Sequence, residues 1–91
     1  MTRYKWDRGK ARDNLALHGV SFEEAETVPD TALAHWLPDQ IRLDSEDRSV
    51  VIGPSELGRL LVVVTSGGGL EPRIISAWRA TKRERREYEA R

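Results

Sequence analysis

The sequence has 91 residues, no cysteine and a formal net charge of zero, because 15 Lys/Arg balance 15 Asp/Glu. Without cysteine, disulfide bonds, thiolate catalysis and cysteine-based zinc sites are excluded. The longest apolar run, residues 60–64, is far shorter than the ~20 residues that a membrane-spanning helix needs. The polar N-terminus does not resemble a signal peptide. These features predict one domain over residues 1–91, located in the cytoplasm.

The charges are distributed unevenly along the chain. Residues 1–19 carry +3 (five Lys/Arg, two Asp), residues 20–72 carry −7 (three Arg, ten Asp/Glu), and residues 73–91 carry +4 (seven Lys/Arg, three Glu). Two basic ends around an acidic middle predict one basic and one acidic face, and a basic face favours a nucleic-acid partner. The alternative is that the C-terminal charges only solvate a surface helix.

The N-terminal residues predict a strand followed by a helix. The alternation in Tyr4–Trp6 is typical of a short strand, and Asp7 is suited to cap a helix over Lys10–His18. Within that helix, Ala11 and Leu15 share one side with His18, so this side is predicted to face the core.

A second helix is predicted directly after the first. Gly19 is the residue type that most often ends a helix in the left-handed conformation. Ser21 and Glu24 have the spacing of a capping box, and Pro29 ends the short helix that they open. The two helices therefore form a compact hairpin.

The remaining sequence predicts strands and a final helix. A short strand is predicted over residues 33–37, an acidic loop over 39–47 and a glycine-rich turn over 66–69. Three further strands are predicted at Ser49–Gly53, Arg59–Thr65 and Arg73–Ala77. The middle one is apolar on both faces and is therefore expected at the centre of the sheet. Thr81 and Glu84 form another capping box, which opens a helix to about Ala90.

The predicted fold class is α+β. It comprises a short N-terminal strand, a helical hairpin, a three- to four-stranded antiparallel sheet and a C-terminal helix. That last helix is almost entirely charged, with Tyr88 as its only large apolar residue. A helix of this composition lies on the surface or awaits a partner.

The sequence offers no convincing metal site and no nucleotide-binding loop. His18 and His35 are seventeen residues apart and have no neighbouring pair of ligands. The glycines at 67–69 do not lead from a strand into a helix, so they indicate a turn rather than a phosphate-binding loop.

The residue types that remain suit RNA cleavage by side chains alone. Arginine binds phosphate through its planar fork, and histidine or a carboxylate transfers protons. Candidate phosphate ligands lie on or near the predicted strands: Arg48, Arg59, Arg73 and Arg79. His18 and Glu46 are candidates for proton transfer. Trp36 and Trp78 are candidates for stacking on unpaired bases.

Each candidate also has a purely structural interpretation. His18 precedes Gly19 and is placed to interact with the carbonyl end of its helix. Arg59 follows a predicted turn, which is typical of a solvated residue at the end of a strand. Arg48 follows two acidic residues, which favours a surface ion pair. Trp78 and Trp6 are large aromatic residues, and such residues most often pack in the hydrophobic core.

Read as a whole, the chain resembles the BrnT family, the toxins of BrnT/BrnA toxin–antitoxin systems. The matching blocks keep their order over nearly the whole chain: Trp6–Asp7, Lys10–Ala11, Asn14, His18–Ala25, Glu46–Arg48, Ile52–Gly53, Gly58–Val64, Arg73–Ala77, Arg79–Thr81, Arg83–Arg85 and Tyr88–Glu89.

The resemblance implies a RelE-like ribonuclease fold, RNA cleavage without a metal or other cofactor, and inhibition of translation. It also implies a BrnA-like antitoxin with a ribbon-helix-helix domain. The toxin would bind operator DNA only through this antitoxin. The family's polar site positions correspond here to Lys10, His18, Glu46, Arg48, Arg73 and Arg79. Leu17, Asp47 and Trp78 depart from the common pattern, and the absent cations at 17 and 78 leave a weakened toxin as an alternative.

These expectations give a mechanistic hypothesis. Three arginines, Arg48, Arg73 and Arg79, bind the scissile phosphate, either His18 or Glu46 is the base, and Lys10 assists the leaving group. The competing hypothesis is a non-catalytic module that binds protein or nucleic acid, such as a degenerate toxin acting only in a repressor complex.

Overall fold

A computed structural model describes residues 3–37, 48–67 and 71–90. Three helices and four strands are formed in this order: α1 (Arg8–His18), α2 (Phe22–Ala25), β1 (His35–Trp36), β2 (Arg48–Pro54), β3 (Leu60–Ser66), β4 (Arg73–Arg79) and α3 (Lys82–Glu89). This confirms the predicted α+β class. The predicted acidic loop over 39–47 lies outside the described residues, as do two of the three glycines of the predicted turn.

The four strands form one antiparallel sheet in the order β1-β2-β3-β4. Every residue of β3 is buried, which confirms the predicted central strand. Valines and leucines on both faces of β3 allow it to be covered from both sides. β2 and β3 are joined by a tight turn in which Gly58 has a φ of 80°, a conformation that favours glycine.

Each face of the sheet has its own apolar core. On one face, α1 and α2 cover a cluster formed by Val20, Phe22, Ala25, Val28, Val51, Leu61, Val63, Ile74 and Ala77. On the other face, α3 contributes Tyr88 to a cluster built on Val50, Ile52, Leu60, Val62 and Val64. The alternation of side chains along the strands explains this division, since consecutive residues point to opposite faces.

α1 begins and ends with the local signals that the sequence carries. The side chain of Asp7 accepts a hydrogen bond from the backbone N–H of Lys10, and Gly19 ends the helix with a φ of 69°. The expected inward side is only partly inward, however. Ala11 packs against the core cluster, but Leu15 is 52% exposed, and the buried residue of α1 is Asn14. The polar contacts of Asn14 therefore act together with the packing of Ala11 to turn the helix towards the sheet.

The capping box predicted for α2 is only half formed. The hydroxyl of Ser21 accepts from the backbone N–H of Glu24, as a cap requires. The Glu24 carboxylate does not return to Ser21 but binds the hydroxyl of Ser55 and the guanidinium of Arg59. A stronger, charged partner thus replaces the backbone partner of the usual box.

The predicted first strand is reduced to a single bridge. Lys5 pairs in parallel with Arg73, because its N–H donates to Pro72 O and its C=O accepts from Ile74 N. The chain enters α1 at Arg8, which leaves no room for a longer ladder.

α3 lies on the sheet without burying any of its residues. The complete capping box of Thr81 and Glu84 starts it, as predicted. Near its end, the Tyr88 hydroxyl donates to Leu33 O at 2.7 Å, and its ring meets His35 edge-on with centroids 5.0 Å apart. None of the helices in the described parts of the chain is long and apolar enough to cross a membrane.

Candidate active-site cleft between α1 and β4

An open cleft of about 300 Å³ separates one side of α1 from β4. It brings together two predicted site residues, Lys10 and His18, both of which lie on α1. The residues that line the cleft are Lys10, Asp13, Asn14, Leu17, His18, Ile75 and Ser76. The walls therefore combine a cation, an imidazole, a carboxylate and a hydroxyl.

Helical spacing explains why Lys10 and His18 share this cleft. They are eight residues apart, with Asn14 midway, so all three lie on one stripe of α1. Two turns of helix separate their Cα atoms by about 12 Å. Both side chains are exposed, whereas Asn14 is buried between them. The stripe thus presents an imidazole and an ammonium group on either side of a buried carboxamide.

The Asn14 carboxamide is satisfied at both of its polar atoms. Its Nδ2 donates to Val20 O at 3.0 Å and to Ala77 O at 2.9 Å. Its Oδ1 accepts from Ala77 N at 3.1 Å and from the Ser76 hydroxyl at 3.2 Å. These contacts join the middle of α1 to the outer edge of β4.

The opposite wall of the cleft is irregular. The register between β3 and β4 shifts between Val64 and Thr65, so that Ile75 of β4 is an extra, unpaired residue. Such a bulge redirects neighbouring side chains and is frequent beside active sites. Here it accompanies the exposure of both Ile75 and Ser76 to the cleft.

The imidazole of His18 lies beside Trp78. Their ring centroids are 6.2 Å apart, with an angle of 46° between the ring planes. Trp78 is half-buried, packs against the α3-side core and donates from Nε1 to Glu84 Oε1 at 3.2 Å. The indole is therefore held from the α3 side while its ring remains next to His18.

Two of the predicted phosphate ligands lie on one row across the sheet. Arg48 and Arg73 are both paired with Ser66 of β3, one from each side. Directly paired residues project from the same face, and two strand spacings separate these arginines by about 10 Å. Both arginines therefore project from the same face at one end of the sheet.

Arg79 is at the other end of β4. Six residue steps separate Arg73 from Arg79, which corresponds to about 20 Å along a strand. The structure therefore does not bring Arg79 together with the other two arginines. Arg79 lies instead near Glu24, where its charge contributes to lowering the pKa of that carboxyl.

The guanidinium of Arg59 is partly exposed but is engaged by groups of the protein itself. It forms an ion pair with Glu24, which is only 5% exposed, and its Nε donates to Glu24 Oε2 at 3.0 Å. It also donates to the carbonyl oxygen of Gly19, the residue that ends α1. The hydrogen bond from Arg59 is the main reason that the pKa of Glu24 lies below its ordinary value, and the Ser55 hydroxyl adds to this effect.

Of the two remaining predicted positions, only Trp36 is among the described residues. Trp36 is on the edge strand β1 and is 44% exposed. Glu46 lies outside the described residues. Within the described ranges, no group of three His, Asp or Glu side chains is arranged to hold a metal ion.

Comparison with known proteins decides the family. A family model described as the ribonuclease toxin BrnT of type II toxin–antitoxin systems matches residues 6–84. The chain belongs to the BrnT family. The family is one of ribonuclease toxins, and a type II system implies an antitoxin partner. A search of curated proteins found no match.

A solved BrnT structure agrees with this assignment. The crystal structure of the Brucella abortus ribonuclease toxin BrnT is 25% identical to this chain and superposes with a TM-score of 0.68. The alignment covers 90% of this chain and 100% of the Brucella chain. The resemblance to BrnT inferred from the sequence blocks is therefore confirmed, together with the α+β architecture.

Within this BrnT fold, three polar cleft residues were not among the sequence-predicted site residues. They are Asp13, Asn14 and Ser76. Asp13 and Asn14 follow Lys10 by three and four residues, so the helical stripe between the two candidate residues was a usable signal. No local signal marks Ser76, because its place in the cleft depends on the bulge and on packing of α1 against β4.

Proposed function

We propose that this BrnT protein is an endoribonuclease toxin that cleaves RNA without a metal ion and acts from the cleft between α1 and β4. The observation that carries the proposal is the stripe of Lys10 and His18 on α1, set around buried Asn14 and opposite the bulge of β4. A base and a cation on opposite sides of one open cleft suit in-line phosphoryl transfer.

The reaction that these residues support begins at the RNA 2′-hydroxyl. The 2′-oxygen attacks the adjacent phosphorus, the bond to the 5′-oxygen breaks, and the products carry a 2′,3′-cyclic phosphate and a 5′-hydroxyl. His18 or Glu46 accepts the 2′-hydroxyl proton, and Lys10 donates a proton to the departing 5′-oxygen or stabilises its charge. Imidazole, ammonium and guanidinium groups thus supply the acid, the base and the electrostatic stabilisation.

The arginines divide into two phosphate contacts. Arg48 and Arg73 share one row and bind one phosphate, whereas Arg79 is about 20 Å from Arg73 and contacts a different phosphate of the same RNA. This division replaces the initial hypothesis that all three bind the scissile phosphate. Trp78 beside His18, and Trp36 on the exposed edge strand, are the stacking surfaces for bases.

Arg59 is assigned a structural role in this scheme. Its ion pair with buried Glu24 and its hydrogen bond to Gly19 O would be lost if it turned towards RNA. A buried carboxylate without its partner is costly, so the pair favours the folded geometry over RNA binding.

The cleavage experiment uses the purified protein and a 5′-labelled single-stranded RNA, with and without EDTA. We expect equal cleavage in both conditions and fragments that end in a 2′,3′-cyclic phosphate. Cleavage abolished by EDTA would refute the metal-free mechanism. Fragments ending in a 5′-phosphate would refute attack by the 2′-hydroxyl.

For the partner, we propose a BrnA-like ribbon-helix-helix antitoxin, through which the toxin reaches operator DNA in the cytoplasm. Induced expression of this chain alone should arrest growth and degrade RNA, and co-expression of the ribbon-helix-helix protein encoded beside it should restore growth. The Arg73→Ala variant should be harmless. Normal growth with intact RNA from a folded wild-type protein would instead favour the non-catalytic binding module.

A further inference from the structure

We propose that Asn14 is a positioning residue for RNA cleavage, which sets the register of α1 against β4 and thereby directs Lys10 and His18 into the cleft. This inference rests on the proposed function of the same cleft. Asn14 itself is 7% exposed and would not touch the RNA. Its effect is exerted through the helix that carries the two reacting side chains.

The first support is the form of the contact with β4. Asn14 both donates to Ala77 O and accepts from Ala77 N, the pair of bonds that a neighbouring strand residue would exchange at this outer edge. The carboxamide thus provides hydrogen-bond partners for the N–H and C=O of Ala77 on the edge strand. The backbone of α1 could not provide them, because its own N–H and C=O groups are bonded within the helix. Both bonds are directional, so they define one position of α1 along β4.

The second support is that apolar packing holds this helix only weakly, since the small side chain of Ala11 packs against the core cluster but the larger leucines do not. Leu15 and Leu17 are 52% and 78% exposed, and Asn14 is the buried residue of α1. Apolar contacts are non-directional and tolerate small sliding or rotation. A slip of one residue would rotate the stripe by about 100° and move both side chains out of the cleft.

The third support is the placement of Asn14 between the reacting groups. Lys10 and His18 are each one helical turn away, on the same stripe. Asn14 also accepts from Ser76, so it joins both walls of the cleft at its centre. Displacements of about 1 Å are known to reduce rates by about 100-fold when reacting groups must align.

The test compares Asn14→Leu with Val51→Ala. Val51 is completely buried in the core beneath α1 and α2 and is not a cleft residue, so its truncation also destabilises the fold without changing the cleft. Rates are normalised to the folded fraction measured by circular dichroism at the assay temperature. Asn14→Leu should lower kcat about 100-fold and change KM for a labelled single-stranded RNA less than about threefold, whereas Val51→Ala keeps both within about twofold.

Asn14→Asp is the second variant, for use if Asn14→Leu does not fold. Aspartate keeps the acceptor for Ala77 N and Ser76 but loses both donated bonds. We expect a kcat reduction of about tenfold. Equal kcat values for the folded fractions of the Asn14 variants and Val51→Ala would overturn the inference and leave the proposed function intact.

A second readout does not depend on activity. In the wild type, the ring current of Trp78 should shift the His18 ring protons in NMR spectra, because the two rings are in contact. In both Asn14 variants this shift should decrease. In Asn14→Leu, which removes the acceptor of the Ala77 N–H, the Ala77 amide should also exchange at least about tenfold faster while the Val63 amide is unchanged. Unchanged shifts and exchange would overturn the inference, even if the wild type cleaved no RNA and the proposed function had failed.

Discussion

The helices α1 and α3 both carry a net positive charge but are attached to the sheet in different ways. α1 is joined to β4 by the buried carboxamide of Asn14, and its end is held by Arg59 through Gly19 O. α3 buries none of its residues and depends on Glu84 at its start and Tyr88 near its end. Buried directional bonds fix a position, whereas exposed ones compete with water. The proposed reacting groups, Lys10 and His18, thus lie on the helix that is held by buried, directional bonds.

The largest expected contrast is between two lysines, one on each helix. Lys10→Ala should reduce RNA cleavage by about 100-fold, because the cleft loses the cation that assists the leaving group. Lys82→Ala, at the start of α3, should leave cleavage within about twofold. Initial rates with labelled RNA measure both. Equal effects of the two substitutions would remove the distinction between the helices.

The next contrast concerns two glutamates replaced by glutamine. Glu24→Gln should lower the free energy of unfolding by about 2 kcal/mol, since an amide NH₂ group would face Arg59 inside the protein. Glu84→Gln should change it by less than about 0.5 kcal/mol, because glutamine also completes a capping box. Urea unfolding at neutral pH measures both. Equal losses would mean that the Glu24 network does not stabilise the end of α1.

The same network predicts a dependence of stability on pH. The pKa of Glu24 is lowered in the fold, mainly by the hydrogen bond from Arg59, from an ordinary value of 4.5. Its contribution is therefore complete above the unfolded-state pKa and is lost as the pH falls through the lower folded-state value. Between about pH 6 and pH 3, the wild type should lose more stability than Glu24→Gln. Urea unfolding at several pH values measures this, and equal losses of stability in the two proteins would contradict the prediction.

The smallest expected effect is at the end of α3. Tyr88→Phe removes the hydroxyl bond to Leu33 O but keeps the ring contact with His35. We expect a loss of at most about 1 kcal/mol and unchanged RNA cleavage. Thermal unfolding and the cleavage assay together check this. A large loss of cleavage would show that α3 also shapes the cleft.

The sequence predicted those features that depend on neighbouring residues. Asp7, Gly19 and the Thr81–Glu84 box act within one helical turn, so their signals are visible in the chain. The apolar run of β3 likewise indicated a central strand.

The long-range contacts could not be predicted in this way. Asn14 binds Ala77, 63 positions away, and Glu24 binds Arg59, 35 positions away. In the sequence, Glu24 has the form of a capping residue and Leu15 that of a core residue, and only the packed fold shows otherwise. The separation of Arg79 from Arg73 follows from strand length, which depends on pairing with β3.

The central claim is that the cleft between α1 and β4 cleaves RNA, and the chain's two histidines provide its most direct test. His18 lies in the cleft, whereas His35, on β1, packs against Tyr88 of α3. We predict that His18→Ala lowers the initial rate of cleavage of a labelled single-stranded RNA by at least about 100-fold, and that His35→Ala stays within about threefold of the wild type. Full cleavage by a folded His18→Ala variant would contradict the claim.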